Sequence, residues 1–195
     1  MTISLQDDSD GNTYQIWAQR QAMSCSVASI WMARGIARQM SYDETEWDLA
    51  WRMYHDAVAG MSWQGGPPMP QTFNSATLAA NQNSMASTFA SHGTFGSQVA
   101  DMLRQEGFTV SHSDNTGKAQ KLDTAKLKPT RPAIVLVGWY GSGSRGGGHF
   151  IVAARRASNG RIVYLDPWGG VLREVANNAQ YPGGGLVEEI VYITA

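Results

Sequence analysis

The stretch GWYGSGSRGGGHF, residues 138–150, contains Gly141-x-Gly143-x-x-Gly146, the letter pattern of a dinucleotide-binding loop, and runs into a histidine. Two readings of it lead to two different folds. A dinucleotide loop leaves a strand and opens a helix, because the helix N-terminus holds the phosphates. The strand is there: Ala133 to Trp139, AIVLVGW, is an apolar run of strand length. The segment after the glycines carries no helix signal. HFIVAARR, from His149, is dense in aromatic and β-branched residues and reads as a second strand. A glycine-rich link between two strands is a hairpin-type loop, with no helix dipole aimed at it. The Gly-Lys-Ser/Thr of a Walker loop is also missing. Nucleotide binding is set aside, and His149 becomes the residue of interest.

Composition narrows the remaining classes. A chain of 195 residues can build one well-cored domain. Its formal net charge of −1 provides no basic field for nucleic acid or an anionic membrane. Charged residues make up 16%, against a usual ~25%, which describes a polar, loop-rich surface. No apolar run approaches the ~20 residues that span a bilayer. The opening MTISLQDDSDGNTY is acidic and polar, unlike a Sec signal peptide. The single cysteine, Cys25, excludes an intrachain disulfide and a multi-cysteine zinc site. The four histidines (His55, His92, His112 and His149) form no HExxH or close pair, so neither a metal nor another cofactor is expected.

Residues 1–13 read as a mobile tail. From Cys25 onward, Ala28, Trp31, Met32, Gly35 and Ile36 form one apolar stripe at helical spacing. A second helix is expected over Tyr42–Ala59, with Trp47, Ala50, Trp51, Tyr54 and Val58 inward. Its acidic run Asp43, Glu44, Glu46, Asp48 reads as a solvated first turn. MSWQGGPPMPQ (61–71) breaks that helix, and residues 72–96 suggest loops around a short one. Gln98–Glu106 is a third, with Gly107 as its C-terminal cap. Strands are then expected over Thr109–His112, Ala133–Trp139, His149–Arg155, Arg161–Asp166 and Leu186–Ile193. Helices first and strands second argue an α+β fold.

Cys25 and His149 fall in opposite halves, which suits a cysteine nucleophile and its base. Met23-Ser24-Cys25-Ser26 puts Cys25 in the first turn of a helix, where the dipole and free N–H groups favour an anion. Gln19, just upstream, is a neutral N–H donor able to help a backbone amide hold an oxyanion, and Gln21 competes for that role. Across the hairpin HFIVAARRASNGRIVYLD, adjacent antiparallel strands return Asp166 to the level of His149, where it can orient the ring. Taken singly, the bland readings stand: a buried small hydrophobe for Cys25, a satisfied strand histidine for His149, an Asp-Pro turn for Asp166. Taken together with Gln19, these residues read as catalytic. His55, His92 and His112 read as surface or structural.

These residues resemble the papain-like cysteine peptidases. The likeness is strongest to the bacterial branch containing plant-pathogen avirulence proteases, with bacteriocin leader peptidases as cousins. That branch reads Ala-Gln, a short variable stretch, Met-x-Cys-Trp-x-Ala-Ser and Met, then Gly-His-aromatic-Val-Val and Asp-Pro-Trp. The chain has Ala18-Gln19, Met23-Ser24-Cys25-Ser26-Val27-Ala28-Ser29, Met32, Gly148-His149-Phe150-Ile151-Val152 and Asp166-Pro167-Trp168. Arg131-Pro132-Ala133-Ile134-Val135 fits as well. The likeness covers about residues 18–36 and 130–170 and leaves the middle unmatched. One departure is Ser26, where the branch has a Trp that shapes a cleft wall.

The resemblance implies a papain-like α+β fold over about 14–195. A helical lobe (about 14–108) would carry Cys25, and a β lobe (about 109–195) would carry His149 and Asp166. It implies a Cys25–His149–Asp166 triad without cofactor or metal, with Gln19 preferred over Gln21 at the oxyanion and Trp168 shielding the His149–Asp166 bond. The expected partner is a protein or peptide substrate, with a cognate inhibitor or immunity protein if the enzyme is a toxin; neither nucleic acid nor a membrane is expected. Lacking a Sec signal, the chain reads as made in the cytoplasm and as a candidate effector for a specialised secretion system. Rival readings are a peptidoglycan amidase or an acyl transferase using the same triad, and a silent binding module of the same fold.

Overall fold

The apolar run AIVLV forms the expected strand, and both of its faces are buried. In a computed structural model that describes residues 2–20, 22–46, 48–50, 94–141 and 144–194, Ala133, Val135 and Val137 join one hydrophobic cluster while Ile134 and Leu136 join another. They belong to β4 (Ala133–Gly141), a central strand. The remaining strands are β1 (Thr2–Asp7), β2 (Thr13–Ala18), β3 (Val110–Asp114), β5 (Ser144–Arg156), β6 (Ile162–Asp166), β7 (Val171–Val175), β8 (Gln180–Tyr181) and β9 (Gly185–Ile193). Among the described residues, seven strands make one antiparallel sheet in the order β3-β9-β4-β5-β6-β7, with β8 also on β9. The architecture is α+β, built on this antiparallel sheet. Among the described residues no helix is long and apolar enough to cross a membrane.

Helix α1 (Cys25–Arg38) packs on one sheet face. Its first ten residues are all buried, so it is central rather than a surface helix. It ends at Gln39, in the left-handed conformation with φ 53°. Helix α2 (Gly96–Gln105) is capped by the Gln98 side chain, which accepts from the Phe95 N–H (2.9 Å). At its far end Gly107 adopts φ +85°, and Phe108 N–H returns to Leu103 O, so Gly107 ends the helix as expected.

Three expectations are corrected. The tail expected over residues 1–13 is the first arm of a β-hairpin, β1 pairing β2 from Thr2↔Ala18 to Asp7↔Thr13. Its turn is held by Asp8, whose carboxylate accepts from the N–H groups of Asp10 and Asn12, 2.9 Å each. Polar side chains then dock the hairpin: Ser4 and Gln6 donate to Gly170 O, and Leu172 N–H donates to Gln6. The second helix does not start at Tyr42. Residues 42–45 are non-helical, and Thr45 caps a helical stretch through reciprocal bonds with Asp48; its expected continuation to Ala59, like Trp47 and the readings of residues 61–93, lies outside the described residues. Nor is the acidic run simply solvated. Glu44 pairs both Nη atoms of the buried Arg34 at 3.1 Å, and Glu46, 6% exposed, accepts from Arg20 N–H.

The glycine-rich link is also shorter than a loop. β4 runs on to Gly141 and β5 begins at Ser144, so the glycines lie mostly within strands. Their reason is packing. Glu188, fully buried on β9, accepts from Arg145 Nε (2.9 Å), Gly117 N–H (3.1 Å) and Tyr140. A Cβ at Gly138 would overlap the Glu188 carboxylate, and one at Gly148 would overlap the Arg145 guanidinium.

Candidate active site

Cys25 is the first residue of α1, and His149 comes from β5, against which α1 packs. Asp166 ends β6, the strand next to β5. The register Val152↔Leu165 brings Asp166 alongside the start of the apolar part of β5. From there its Oδ1 stands 2.7 Å from His149 Nε2. Cys25 lies close enough to the same imidazole to interact with it electrostatically. Nε2 faces Asp166, which leaves Nδ1 for the sulfur. The three residues expected to act together are therefore brought together. They line a common cavity of about 590 Å³.

The electrostatics of His149 come from its two neighbours. Burial on its own would lower the imidazole pKa. The hydrogen bond to Asp166 and the interaction with Cys25 outweigh burial and hold it raised, at about 9. Asp166 is likewise buried, which would raise its pKa, yet His149, Tyr181 and the Trp168 N–H hold it below the usual carboxylate range. The arrangement favours a charged imidazolium between sulfur and carboxylate.

Around Asp166 every approach is occupied. Tyr181 Oη donates to Oδ2 (2.7 Å), Trp168 N–H donates to Oδ1 (2.8 Å), and Arg173 Nε lies 3.7 Å from Oδ2. Trp168 stands edge-on to the His149 ring with centroids 6.2 Å apart while remaining 65% exposed. Trp139 also lies against the His149 ring, tilted by 42° with centroids 6.1 Å apart. Tyr181, Arg173 and Trp139 belong to no motif, so sequence reasoning misses them; the one available signal is the Tyr-Pro-Gly turn that sets Tyr181 beside a short strand.

Gln19 follows β2 directly. Its N–H donates to Pro167 O (3.0 Å), tying it to the Asp166 turn, and its side-chain Nε2 donates to Ala22 O (3.2 Å). Ala22 lines the cavity with Cys25. Gln21, the competitor for the oxyanion role, lies outside the described residues, as do His55 and His92. Ser26, where the resemblance leads one to expect a Trp, is buried and donates to the Thr94 hydroxyl (2.9 Å), so it fastens α1 to the approach to α2. His112 is more than a surface residue: its Nε2 lies 3.0 Å from Glu189 Oε2, and both line a second cavity of about 370 Å³ that also reaches Cys25. Among the described residues no three His, Cys, Asp or Glu side chains converge as metal ligands.

A scan against protein-family models finds no match, and a search of curated proteins finds no significant relative.

Proposed function

We propose that this protein is a cysteine peptidase of the papain-like type, hydrolysing peptide bonds of a protein substrate through Cys25, His149 and Asp166. The observation that carries the reading is the His149 ring, hydrogen-bonded to Asp166 and set with Cys25 at the wall of one open cavity. The cysteine at the start of a buried central helix and the histidine on an antiparallel sheet support the papain-like assignment.

In the proposed reaction His149 Nδ1 takes the Cys25 proton, and the thiolate attacks the amide carbonyl carbon. The oxyanion of the tetrahedral intermediate is held by the Cys25 backbone N–H and, once its amide turns from Ala22 O, by Gln19 Nε2. Collapse breaks the C–N bond, and His149 passes its proton to the leaving amine. Water then attacks the thioester carbonyl while His149 takes a water proton. The acid is released, and the proton returns to sulfur or stays on the imidazole. Asp166 holds the ring with Nδ1 toward sulfur and stabilises the imidazolium.

The test is incubation with a peptide library and, separately, with purified peptidoglycan, each with wild type and Cys25→Ala. Cleaved peptides that disappear with Cys25→Ala support the peptidase. Cleavage of peptidoglycan stem peptides alone would move the substrate class to a cell-wall amidase. No Cys25-dependent product from either would overturn the hydrolytic reading.

A further inference from the structure

Gly146, Gly147 and Gly148 run consecutively into His149, yet packing demands glycine at only one of them. Gly148 makes room for Arg145. Gly146 falls at the irregularity where β4 and β5 shift register, and a Cβ there would make ordinary contact with Trp139 O at 3.8 Å. Gly147 is different. Its φ is not positive, and a Cβ built on it would meet nothing within 4 Å. Neither backbone conformation nor crowding calls for glycine there.

The space beside it is the cavity shared by Cys25 and His149. Strand alternation puts Gly147 on the same face of β5 as His149, and it pairs with Trp139 across β4. Trp139, Trp168, Tyr181 and Pro182 wall this cavity, and its two charged groups face each other, Arg173 Nε lying 3.7 Å from Asp166 Oδ2, while Asp166 is also engaged by His149 and Tyr181. The other cavity at Cys25 lacks indoles: Phe95 and Phe150 line it beside His112, Asp114, Arg145 and Glu189.

We propose that Gly147 is a specificity-determining residue: its missing side chain keeps open an aromatic-walled slot that receives an aromatic or bulky apolar side chain of the peptide substrate beside the scissile bond. The inference rests on the reading of Cys25 and His149 as nucleophile and base. Flat apolar groups match the slot because the indoles offer faces and edges for ring packing, and a side chain at 147 would occupy the same volume.

Cys25 is the only thiol, so its alkylation tests the slot without a known substrate. The probes are iodoacetamide, iodoacetyl-phenylalanine amide and iodoacetyl-glutamic acid amide. In each, the sulfur forms a C–S bond as iodide leaves. Each rate is divided by the rate of the same reagent with free cysteine. The phenylalanine reagent is expected to exceed iodoacetamide by about tenfold, the scale of filling an apolar pocket, and the glutamate reagent to gain nothing. Gly147→Leu, checked for folding by thermal unfolding, should erase the advantage; Gly147→Ala and Trp168→Ala should each reduce it. Equal normalised rates for all reagents in the wild type would overturn the proposal, as would an advantage undiminished in Gly147→Ala and Trp168→Ala. The pH dependence of the iodoacetamide rate reports separately on the Cys25–His149 pair, so the slot can fail while the peptidase reading stands.

Discussion

Tyr181 donates a 2.7 Å hydrogen bond to Asp166 Oδ2, the carboxylate oxygen that His149 does not use. The two bonds divide the carboxylate between them and fix its plane, so Tyr181 orients the group that orients the catalytic imidazole. Tyr181→Phe keeps the ring and removes only the donor. A hydrogen bond to a charged group contributes about 1.5–3 kcal/mol, and part of that loss should appear as poorer alignment of His149. Turnover of a library-identified peptide is expected to fall about tenfold with KM little changed. Asp166→Ala should fall further, and Cys25→Ala and His149→Ala should abolish turnover. Unchanged kcat in Tyr181→Phe would remove Tyr181 from the catalytic account.

The glycines before the histidine should respond unequally to the same small change. Gly148→Ala forces the Arg145 guanidinium away from Glu188, which is fully buried. Arg145 is 35% exposed and its guanidinium can shift, so the expected cost is that of weakening one hydrogen bond to a charged group, about 1.5–3 kcal/mol. Gly147→Ala enters open space and should change stability by less than about 1 kcal/mol. Denaturant unfolding of both variants checks this. Equal destabilisation would mean that the Arg145–Glu188 bridge is not what selects glycine at 148.

The raised pKa of His149 makes stability depend on pH. The ordinary imidazole value is 6.5, and the folded value is about 9. Because the folded state binds this proton more tightly, the stabilisation is complete below about 6.5 and is lost as pH rises through 9. The gap in melting temperature between wild type and His149→Gln should therefore narrow from pH 6 to pH 10. A gap constant across that range would contradict the assigned imidazolium.

Gln19 is close enough to the cleft to be tested in the oxyanion role. Gln19→Ala should lower turnover by about 10²–10³-fold, as loss of one oxyanion donor does elsewhere, with little change in unfolding midpoint. A merely structural Gln19, holding Ala22 O, would shift stability and leave kcat near wild type.

The parts of the fold legible in the sequence are those whose signal is local. AIVLVGW announces a strand, and Gly107 announces a helix end. Cys25, His149 and Asp166 are legible because their motifs lie in short segments at predictable element ends. The features that escape are carried by polar contacts far apart in the chain. Strand β1 docks through Ser4 and Gln6 onto the backbone of Gly170 and Leu172, so its docking side chains look like solvent-facing sequence, while β2 buries Ile16 and Trp17 in the core. Leu5, an apolar residue of β1, is 68% exposed. Glu44 reads as a surface acid because its partner Arg34 sits on a helix face that otherwise reads as core. Tyr181 has no motif, and only the meeting of β8 with the end of β6 gives it a role.

The central claim is that His149 and Cys25 form one reactive unit, and the pH dependence of Cys25 alkylation by iodoacetamide tests it most directly. With a single cysteine in the chain, mass spectrometry of the intact protein reports one site. The account predicts a wild-type rate that remains high at pH 6, where an ordinary thiol of pKa ~8.5 is almost wholly protonated. In His149→Ala the rate should drop at pH 6 and climb only toward the alkaline range. A wild-type rate that rises only near the ordinary thiol value, or curves that superimpose for the two proteins, would contradict it.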